Sequence, residues 1–275
     1  MTIKEIIIKY SANLIGKSAS PILDIELLLA KTINQAKEYL YKNPDKKLTT
    51  KQLKFFLNLV ERRSKGEPIA YILGYQEFFN LKLKVNKNVL IPRPETELLV
   101  EQVLEFTKTN KIKSIADIGT GSGAIIIALA KNLKAEFYGS DISSQALALA
   151  KENAKTHKVK IKFYKGNLLE PLKSDQLDII VANLPYLTTK ELNNPSIQHE
   201  PKLALAGGKD GLNIFIEFFQ HLKQYNQRPK LILLEIGYKQ AQSLKNISKI
   251  YLPKYKYKVK KDLCGLDRIA IITQK

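Results

Sequence analysis

The sequence is poor in the residues that build cross-links and metal sites. Among its 275 residues Cys264 is the single cysteine, so no internal disulfide can form, and three scattered histidines offer no metal-ligand cluster. No apolar run approaches the roughly 20 residues that a membrane-spanning helix needs. The run in MTIKEIIIKY is also too short for the core of a signal peptide. We therefore expect no metal, no membrane partner and a cytoplasmic location.

Acidic residues and arginine are scarce relative to lysine. The chain has 26 Asp and Glu against 45 Lys and Arg, a formal charge of +19. Five of the basic residues are arginine, which leaves 40 lysines. A polyanionic partner such as a nucleic acid is one explanation of this charge. Nucleic-acid recognition surfaces favour arginine, whereas the excess here is lysine. We therefore attribute the lysine excess to the codon usage of an AT-rich genome and expect no obligatory nucleic-acid partner.

The hydrophobic pattern divides the chain into three parts. Residues 1–74 repeat apolar positions at helical spacing and predict a small all-α bundle. Strict alternation over Phe79–Val85 predicts a half-buried strand, and we place a linking β-hairpin over residues 75–92. Residues 93–275 alternate buried strands with helices, which predicts an α/β domain with a doubly wound, mostly parallel sheet.

Ligands of such sheets bind beyond the carboxyl ends of the strands, so the residues that follow each strand are the candidates for a site. The predicted strands are Ser114–Ile118, Glu136–Ser140, Ile161–Tyr164, Leu177–Ala182 and Leu231–Glu235. Helices are predicted between them, for example at Ala124–Leu133 and Ser144–Lys155.

A glycine-rich turn follows the first of these strands, with the sequence Asp117-Ile118-Gly119-Thr120-Gly121-Ser122-Gly123. Glycines permit close approach of the backbone to a ligand at the N-terminus of the next helix. Asp141 ends the next strand, where a carboxylate can accept hydrogen bonds from both ribose hydroxyls of a nucleoside. The pattern fits NAD and S-adenosylmethionine equally well. A plain glycine turn, with Asp141 capping the following helix, is the alternative.

Two more segments follow the third and fourth strands. In Gly166-Asn167-Leu168 the amide could hydrogen-bond an adenine amino group and the leucine could cover the ring, although a simple turn explains it nearly as well. Asn183-Leu184-Pro185-Tyr186 places an amide, a rigid kink and an aromatic face where a substrate would meet the cofactor.

The chemistry that suits this last segment is methyl transfer to a planar nitrogen, whose lone pair is delocalised as in a peptide bond. The Asn183 side-chain carbonyl and the Leu184 backbone carbonyl could each accept a hydrogen bond from one N–H group of the substrate nitrogen, and Tyr186 could stack on the amide plane. Positioning and electrostatics would supply most of the acceleration, without a strong general base. An ordinary turn remains the alternative.

At this point the chain resembles the HemK/PrmC family, the peptide-chain release factor glutamine methyltransferases. The resemblance covers essentially the whole chain and is most specific over residues 66–101, GEPIAYILGYQEFFNLKLKVNKNVLIPRPETELLVE. ADIGTGSG (116–123), Asp141 and ANLPY follow in the family's order. HEPKLALAGGKDGL (199–212), LLEIG (233–237) and LDRIAII (266–272) also resemble family segments.

The resemblance implies a Rossmann-like class I S-adenosylmethionine-dependent methyltransferase domain with a seven-stranded, mostly parallel sheet, preceded by a helical substrate-recognition domain. It implies S-adenosylmethionine as methyl donor and S-adenosylhomocysteine as product. The implied substrate is the glutamine of the Gly-Gly-Gln motif in class I release factors, and we expect a monomer.

The resemblance also assigns the site residues. The cofactor would be bound by Asp117, Gly119, Thr120, Gly121, Ser122, Gly123, Asp141, Asn167, Leu168 and Asn183. The glutamine would be bound, and the transfer catalysed, by Asn183, Leu184, Pro185 and Tyr186. Pro94, Glu95 and Thr96 match the family's PRPETE signature near the methionine end of the cofactor.

Two departures from the family pattern stand out. Leu184 replaces the first proline of the usual Asn-Pro-Pro-Tyr, which frees φ and adds a backbone N–H. Asn167 replaces the acidic residue that usually follows the third strand. We interpret both as tolerable, because the contact proposed at Leu184 uses a backbone carbonyl.

Other functions remain open on the sequence alone. A sister enzyme that methylates a glutamine of a ribosomal protein would have the same site. An adenine-amino methyltransferase of DNA or RNA shares the Asn-Pro-Pro-Tyr motif and would use the positive charge. The predicted cofactor site and the amide segment at 183–186 would have no role in a non-catalytic nucleic-acid binder. A dehydrogenase would have no use for the segment at 183–186.

Overall fold

Two structural units make up the chain in the computed structural model, which describes all 275 residues: Met1–Tyr75 and Gln76–Lys275. No helix in either unit combines the length and apolar character needed to cross a membrane.

The first unit is helical because its apolar residues recur every three or four positions. Its helices are α1 (Ile3–Ala12), α2 (Pro21–Ile33), α3 (Glu38–Lys42), α4 (Thr50–Ser64) and α5 (Ile69–Leu73). Capping boxes at Thr2 and Thr49 satisfy the first N–H groups of α1 and α4. The core is apolar, and a largely buried ion pair at 2.6 Å joins Arg63 of α4 to Asp24 of α2.

A short hairpin follows, with strands β1 (Tyr75–Phe78) and β2 (Leu81–Lys84). The strand predicted over Phe79–Val85 is wrong at its start, because Phe79 and Asn80 form the hairpin turn with φ of 47° and 60°. A two-residue hairpin loop with positive φ at both positions matches the twist of the flanking strands. The Phe79 N–H donates to Glu97 Oε1 at 2.8 Å, a long-range contact that the alternating pattern does not contain.

The second unit then alternates helices and strands. In chain order they are α6 (Glu97–Thr107), β3 (Ser114–Ile118), α7 (Ala124–Asn132), β4 (Glu136–Asp141), α8 (Ser144–Thr156), β5 (Lys162–Lys165), β6 (Ile179–Ala182), β7 (Leu187–Thr188), β8 (Ala206–Gly208), α9 (Asn213–Gln224), β9 (Leu231–Glu235), α10 (Ala241–Tyr251), β10 (Tyr255–Lys261) and β11 (Asp267–Gln274). Short 3-10 turns include Pro94–Thr96.

Seven of these strands form one sheet in the order β10-β11-β9-β6-β3-β4-β5. The strands from β9 to β5 are parallel, and β11 is antiparallel to its neighbours on both sides. The predicted seven-stranded, mostly parallel sheet is therefore confirmed. The strand order reverses at β3, since β4 lies on one side of it and β6 on the other, and ligands of doubly wound folds bind beside such a reversal.

Candidate active site

A cavity of about 400 Å³ opens where β3, β4 and β6 end, at the reversal of strand order. This volume is in the range of small-molecule sites. The predicted residues that line it are Gly119, Thr120, Gly121, Ser122, Asp141, Asn167, Leu168, Asn183, Leu184 and Pro185. Asp117, Gly123 and Tyr186 do not line it; Asp117 lies buried behind the turn, Gly123 is the N-cap residue of α7, and Tyr186 packs against the hydrophobic core.

The turn after β3 needs its glycines for two reasons. Gly119, Gly121 and Gly123 have φ of 72°, 55° and 82°, the left-handed region that other residues rarely adopt. A Cβ at Gly123 would also lie 2.9 Å from Ile127 Cδ1 and 3.3 Å from Ala150 Cβ, where α7 and α8 meet. The turn is therefore shaped by backbone geometry and by helix packing together.

Asp141 ties this turn to the end of β4. Its Oδ2 accepts from the Gly121 N–H at 2.9 Å and its Oδ1 from the Ser143 N–H at 2.8 Å. The side chain that caps α8 is Ser143, which accepts from the Ala146 N–H. Each carboxylate oxygen can accept a second hydrogen bond, so Asp141 keeps acceptor capacity toward the cavity. Burial raises its pKa above the usual value.

Asp117 is a fully buried carboxylate directly behind the turn. Its Oδ2 accepts from the Thr120 hydroxyl at 2.7 Å, and its Oδ1 has no hydrogen-bond partner. Burial raises the pKa of the Asp117 carboxyl to about 7. A buried, half-satisfied carboxylate is costly on its own, and a cationic ligand in the adjacent cavity would complement it.

Asn167 lies in the cavity wall with its amide orientation determined by a neighbour. Its Nδ2 donates to Glu217 Oε1 of α9 at 2.6 Å. Because a carboxylate can only accept, the amide nitrogen must face Glu217 and the carbonyl oxygen must take the other direction. The amide thus supplies the acceptor that an acidic residue would have supplied here.

The segment after β6 is held by a chain of hydrogen bonds. Asn183 Nδ2 donates to Thr96 Oγ1 at 3.2 Å, and the Thr96 hydroxyl donates to Glu235 Oε2 at 2.6 Å. The Tyr186 hydroxyl donates to Glu235 Oε1 at 3.2 Å. Burial is the main cause of raised pKa values at Glu235 and Tyr186. The structure thus brings Asn183 and Tyr186 together through one buried carboxylate.

Two glycines support the same segment from behind. A Cβ at Gly207 would lie 2.8 Å from Pro185 O and from Tyr186 Cα, and a Cβ at Gly211 would overlap the Tyr186 carbonyl oxygen. Gln240 Nε2 donates to the carbonyl oxygens of Tyr186 and Gly211 at 3.1 Å each. Sequence reasoning assigned no role to these residues, although the spacing of glycines in AGGKDG was a visible signal of close backbone approach.

Replacing Leu184 with proline is expected to leave transfer equal or higher and to lower stability by about 1–2 kcal/mol. Leu184 lies outside the β6 ladder, so proline removes no ladder hydrogen bond, and it fixes φ near the motif. The leucine side chain is 2% exposed and packs in the core, so its removal in the variant costs stability. Initial rates and thermal unfolding measure the two effects; a sharp loss of rate would show that proline does not fit this backbone.

The comparisons with known proteins define the class first. A family model described as Methyltransferase small domain matches residues 94–201. The catalytic domain of hMettl16, solved with the MAT2A 3'UTR hairpin 1, has a TM-score of 0.61 at 17% identity, covering 78% of this chain and 80% of that chain. That likeness shows the fold alone. The protein is a class I methyltransferase, an enzyme that uses S-adenosylmethionine as its methyl donor.

The particular family follows from the whole-chain relatives. A model described as PrmC N-terminal domain matches residues 5–74. The release factor glutamine methyltransferase of Coxiella burnetii is 39% identical over 98% of both chains. That of Thermodesulfovibrio yellowstonii is 38% identical over 98% of this chain and 96% of its own. The chain belongs to the release factor glutamine methyltransferase family.

Proposed function

We propose that the protein methylates the side-chain amide nitrogen of the glutamine in the Gly-Gly-Gln motif of class I release factors. The observation that carries the proposal is the amide of Asn183: its nitrogen faces Thr96, and no protein group donates to its Oδ1. An acceptor at the cavity wall is what a substrate amide N–H requires. The two relatives, which this chain matches over 96–98% of their length, are named release factor glutamine methyltransferases.

The cavity fits the methyl donor in its chemistry. Asp141 has acceptor capacity for ribose hydroxyls, and the Asn167 carbonyl oxygen suits an adenine amino group. Asp117 offers a buried negative charge with one oxygen unpartnered, which complements a cation. Bound S-adenosylmethionine supplies an electrophilic methyl group carried on a positively charged sulfur.

The protein's own contribution to the reaction is orientation. Asn183 Oδ1 and the Leu184 carbonyl would each accept a hydrogen bond from one N–H group of the glutamine amide and aim the nitrogen lone pair into the cavity. These two hydrogen bonds increase the electron density on the nitrogen. Tyr186, held through Glu235, would stack on the amide plane. Such preorganised contacts stabilise the transition state without reorganisation during the reaction.

Asp117 predicts a pH dependence of donor binding. Its pKa of about 7 means that the carboxyl is mostly protonated at pH 6 and mostly ionised at pH 8. Donor affinity should therefore rise between these pH values, by at most about tenfold, which is the ratio of the two ionised fractions. Calorimetric titration of the wild type and of Asp117→Asn checks this. We expect the rise to disappear in the variant; the same rise in both proteins would contradict the assignment.

The substrate is tested by supplying methyl-labelled S-adenosylmethionine with three acceptors: a class I release factor, ribosomal proteins and RNA. Label is expected in the release factor and absent when its Gly-Gly-Gln glutamine is replaced by alanine. Label in a ribosomal protein alone would identify the sister activity, and label in RNA alone would overturn protein methylation.

The partner and the location follow from the same proposal. The substrate is a translation factor, so we propose a cytoplasmic enzyme without a nucleic-acid requirement. We also propose that the enzyme is a monomer. The helical unit at residues 1–74 is proposed to recognise the release factor, with the hairpin at 75–92 as linker to the catalytic residues 93–275.

A further inference from the structure

We propose that Glu235 is a positioning residue which, through the Thr96 hydroxyl, determines which end of the Asn183 amide faces the substrate. The inference rests on the proposed function, because it concerns how the glutamine amide is held. Glu235 lies at the end of β9, 2% exposed, and its side chain does not line the cavity. It would therefore act on the reaction only through other groups.

The direction of the hydrogen bonds carries the argument. A threonine hydroxyl has one hydrogen to donate. The Thr96 hydrogen goes to Glu235 Oε2 at 2.6 Å, so Thr96 Oγ1 is left as an acceptor. It accepts from Asn183 Nδ2 at 3.2 Å. The nitrogen end of the Asn183 amide is thereby turned away from the substrate.

The opposite amide orientation would be unproductive. If the Thr96 hydroxyl were free to donate, Asn183 could rotate by 180° and accept with Oδ1. Its Nδ2 would then point an N–H at the N–H of the substrate glutamine, and two donors repel. An acceptor-only group behind Thr96 excludes this orientation, and an ionised carboxylate is such a group.

The same carboxylate also orients the aromatic face of the segment. Glu235 Oε1 accepts from the Tyr186 hydroxyl at 3.2 Å, so both oxygens hold side chains of the proposed substrate site. Burial is the main influence on the Glu235 carboxyl and raises its pKa, as does the negative charge of Glu95 in the 3-10 turn at 94–96; the hydrogen bonds from Thr96 and Tyr186 and the positive charge of Arg268 in β11 favour the ionised form. A carboxylate here is expensive to bury, which a purely structural contact would not require.

Glu235→Gln tests the proposal, because glutamine keeps the shape and adds a donor. Its Nε2 can donate to Thr96 and release the hydroxyl hydrogen toward Asn183. We expect kcat for release factor methylation to fall at least 30-fold, with the affinity for S-adenosylmethionine within threefold of wild type. Thr96→Val should give a similar loss, and Thr96→Ser, which keeps the hydroxyl, should stay within threefold of wild type.

The double variant Glu235→Gln/Thr96→Val separates positioning from a structural role. If Glu235 acts through Thr96, the losses of kcat caused by the two substitutions should not multiply, so the double variant should be no slower than the slower single variant. Multiplied losses, or a Glu235→Gln enzyme with kcat within threefold of wild type, would overturn the proposal. Failure of the wild type to methylate a release factor would instead refute the proposed function, before any variant is compared.

Discussion

Replacing Asn183 with alanine is expected to lower the rate of methyl transfer by about 10²–10³-fold while cofactor binding largely survives. Removal of one preorganised contact to the reacting group typically costs this much. Asn183 lines the cavity, and its amide nitrogen is hydrogen-bonded to Thr96, which leaves its carbonyl oxygen as an acceptor for the substrate in the proposed mechanism. The cofactor contacts that we propose with the glycine turn and with Asp141 would remain, so the affinity for S-adenosylmethionine should change only a few-fold.

Asn167→Ala is the matched control for this experiment. It makes the same chemical change in the same cavity, but at the position proposed to bind adenine. It should weaken cofactor affinity and leave kcat near the wild-type value at saturating cofactor. Single-turnover rates and calorimetric titration measure both variants. Retained transfer in Asn183→Ala would remove the amide from the mechanism.

Gly211→Ala is the second change with a large expected effect. Gly211 has φ of 76°, and its Cβ would overlap the carbonyl oxygen of Tyr186. The segment at 183–186 must then move, and displacement of a reacting partner by about 1 Å can cost on the order of 100-fold in rate. We expect at least that loss of kcat, together with lowered stability.

Gly265→Ala provides a control with the same backbone strain. Gly265 has φ of 78°, and no atom lies within 4 Å of its added Cβ. It lies between β10 and β11, outside the cavity. It should lower stability by about 1–2 kcal/mol with unchanged kcat. Gly207→Ala tests the support without backbone strain, because Gly207 has no positive φ but its added Cβ would meet the backbone of the segment at 183–186. A fully active Gly207→Ala enzyme would disprove the idea that these glycines support the segment.

The order of elements could be predicted from the sequence because each element is determined by local pattern. The predicted strands at 114–118 and 231–235 coincide with β3 and β9, since both are buried along their whole length. The glycine turn and Asp141 could be placed together because parallel strands end at one edge of the sheet. The assigned roles of these residues stay predictions until the experiments above are made.

The supporting residues could not be predicted, because their effect depends on distant partners. Thr96 and Glu235 are 139 residues apart and meet only in the folded domain. The hairpin turn at Phe79 and Asn80 depends in part on Glu97, in a later helix. Neither contact has a periodic signal in the sequence.

Burial of Asp117 and Glu235 has a consequence for the free energy of unfolding. Both carboxyls have a pKa raised by burial in the folded state. The unfolded chain releases these protons first as the pH rises, so their contribution to stability is full below the unfolded pKa and is lost through the folded one. For Asp117 this window runs from 3.8 to about 7. The enzyme therefore gives up most of this stability below pH 7, before Asp117 acquires most of the charge that we propose complements the methyl donor.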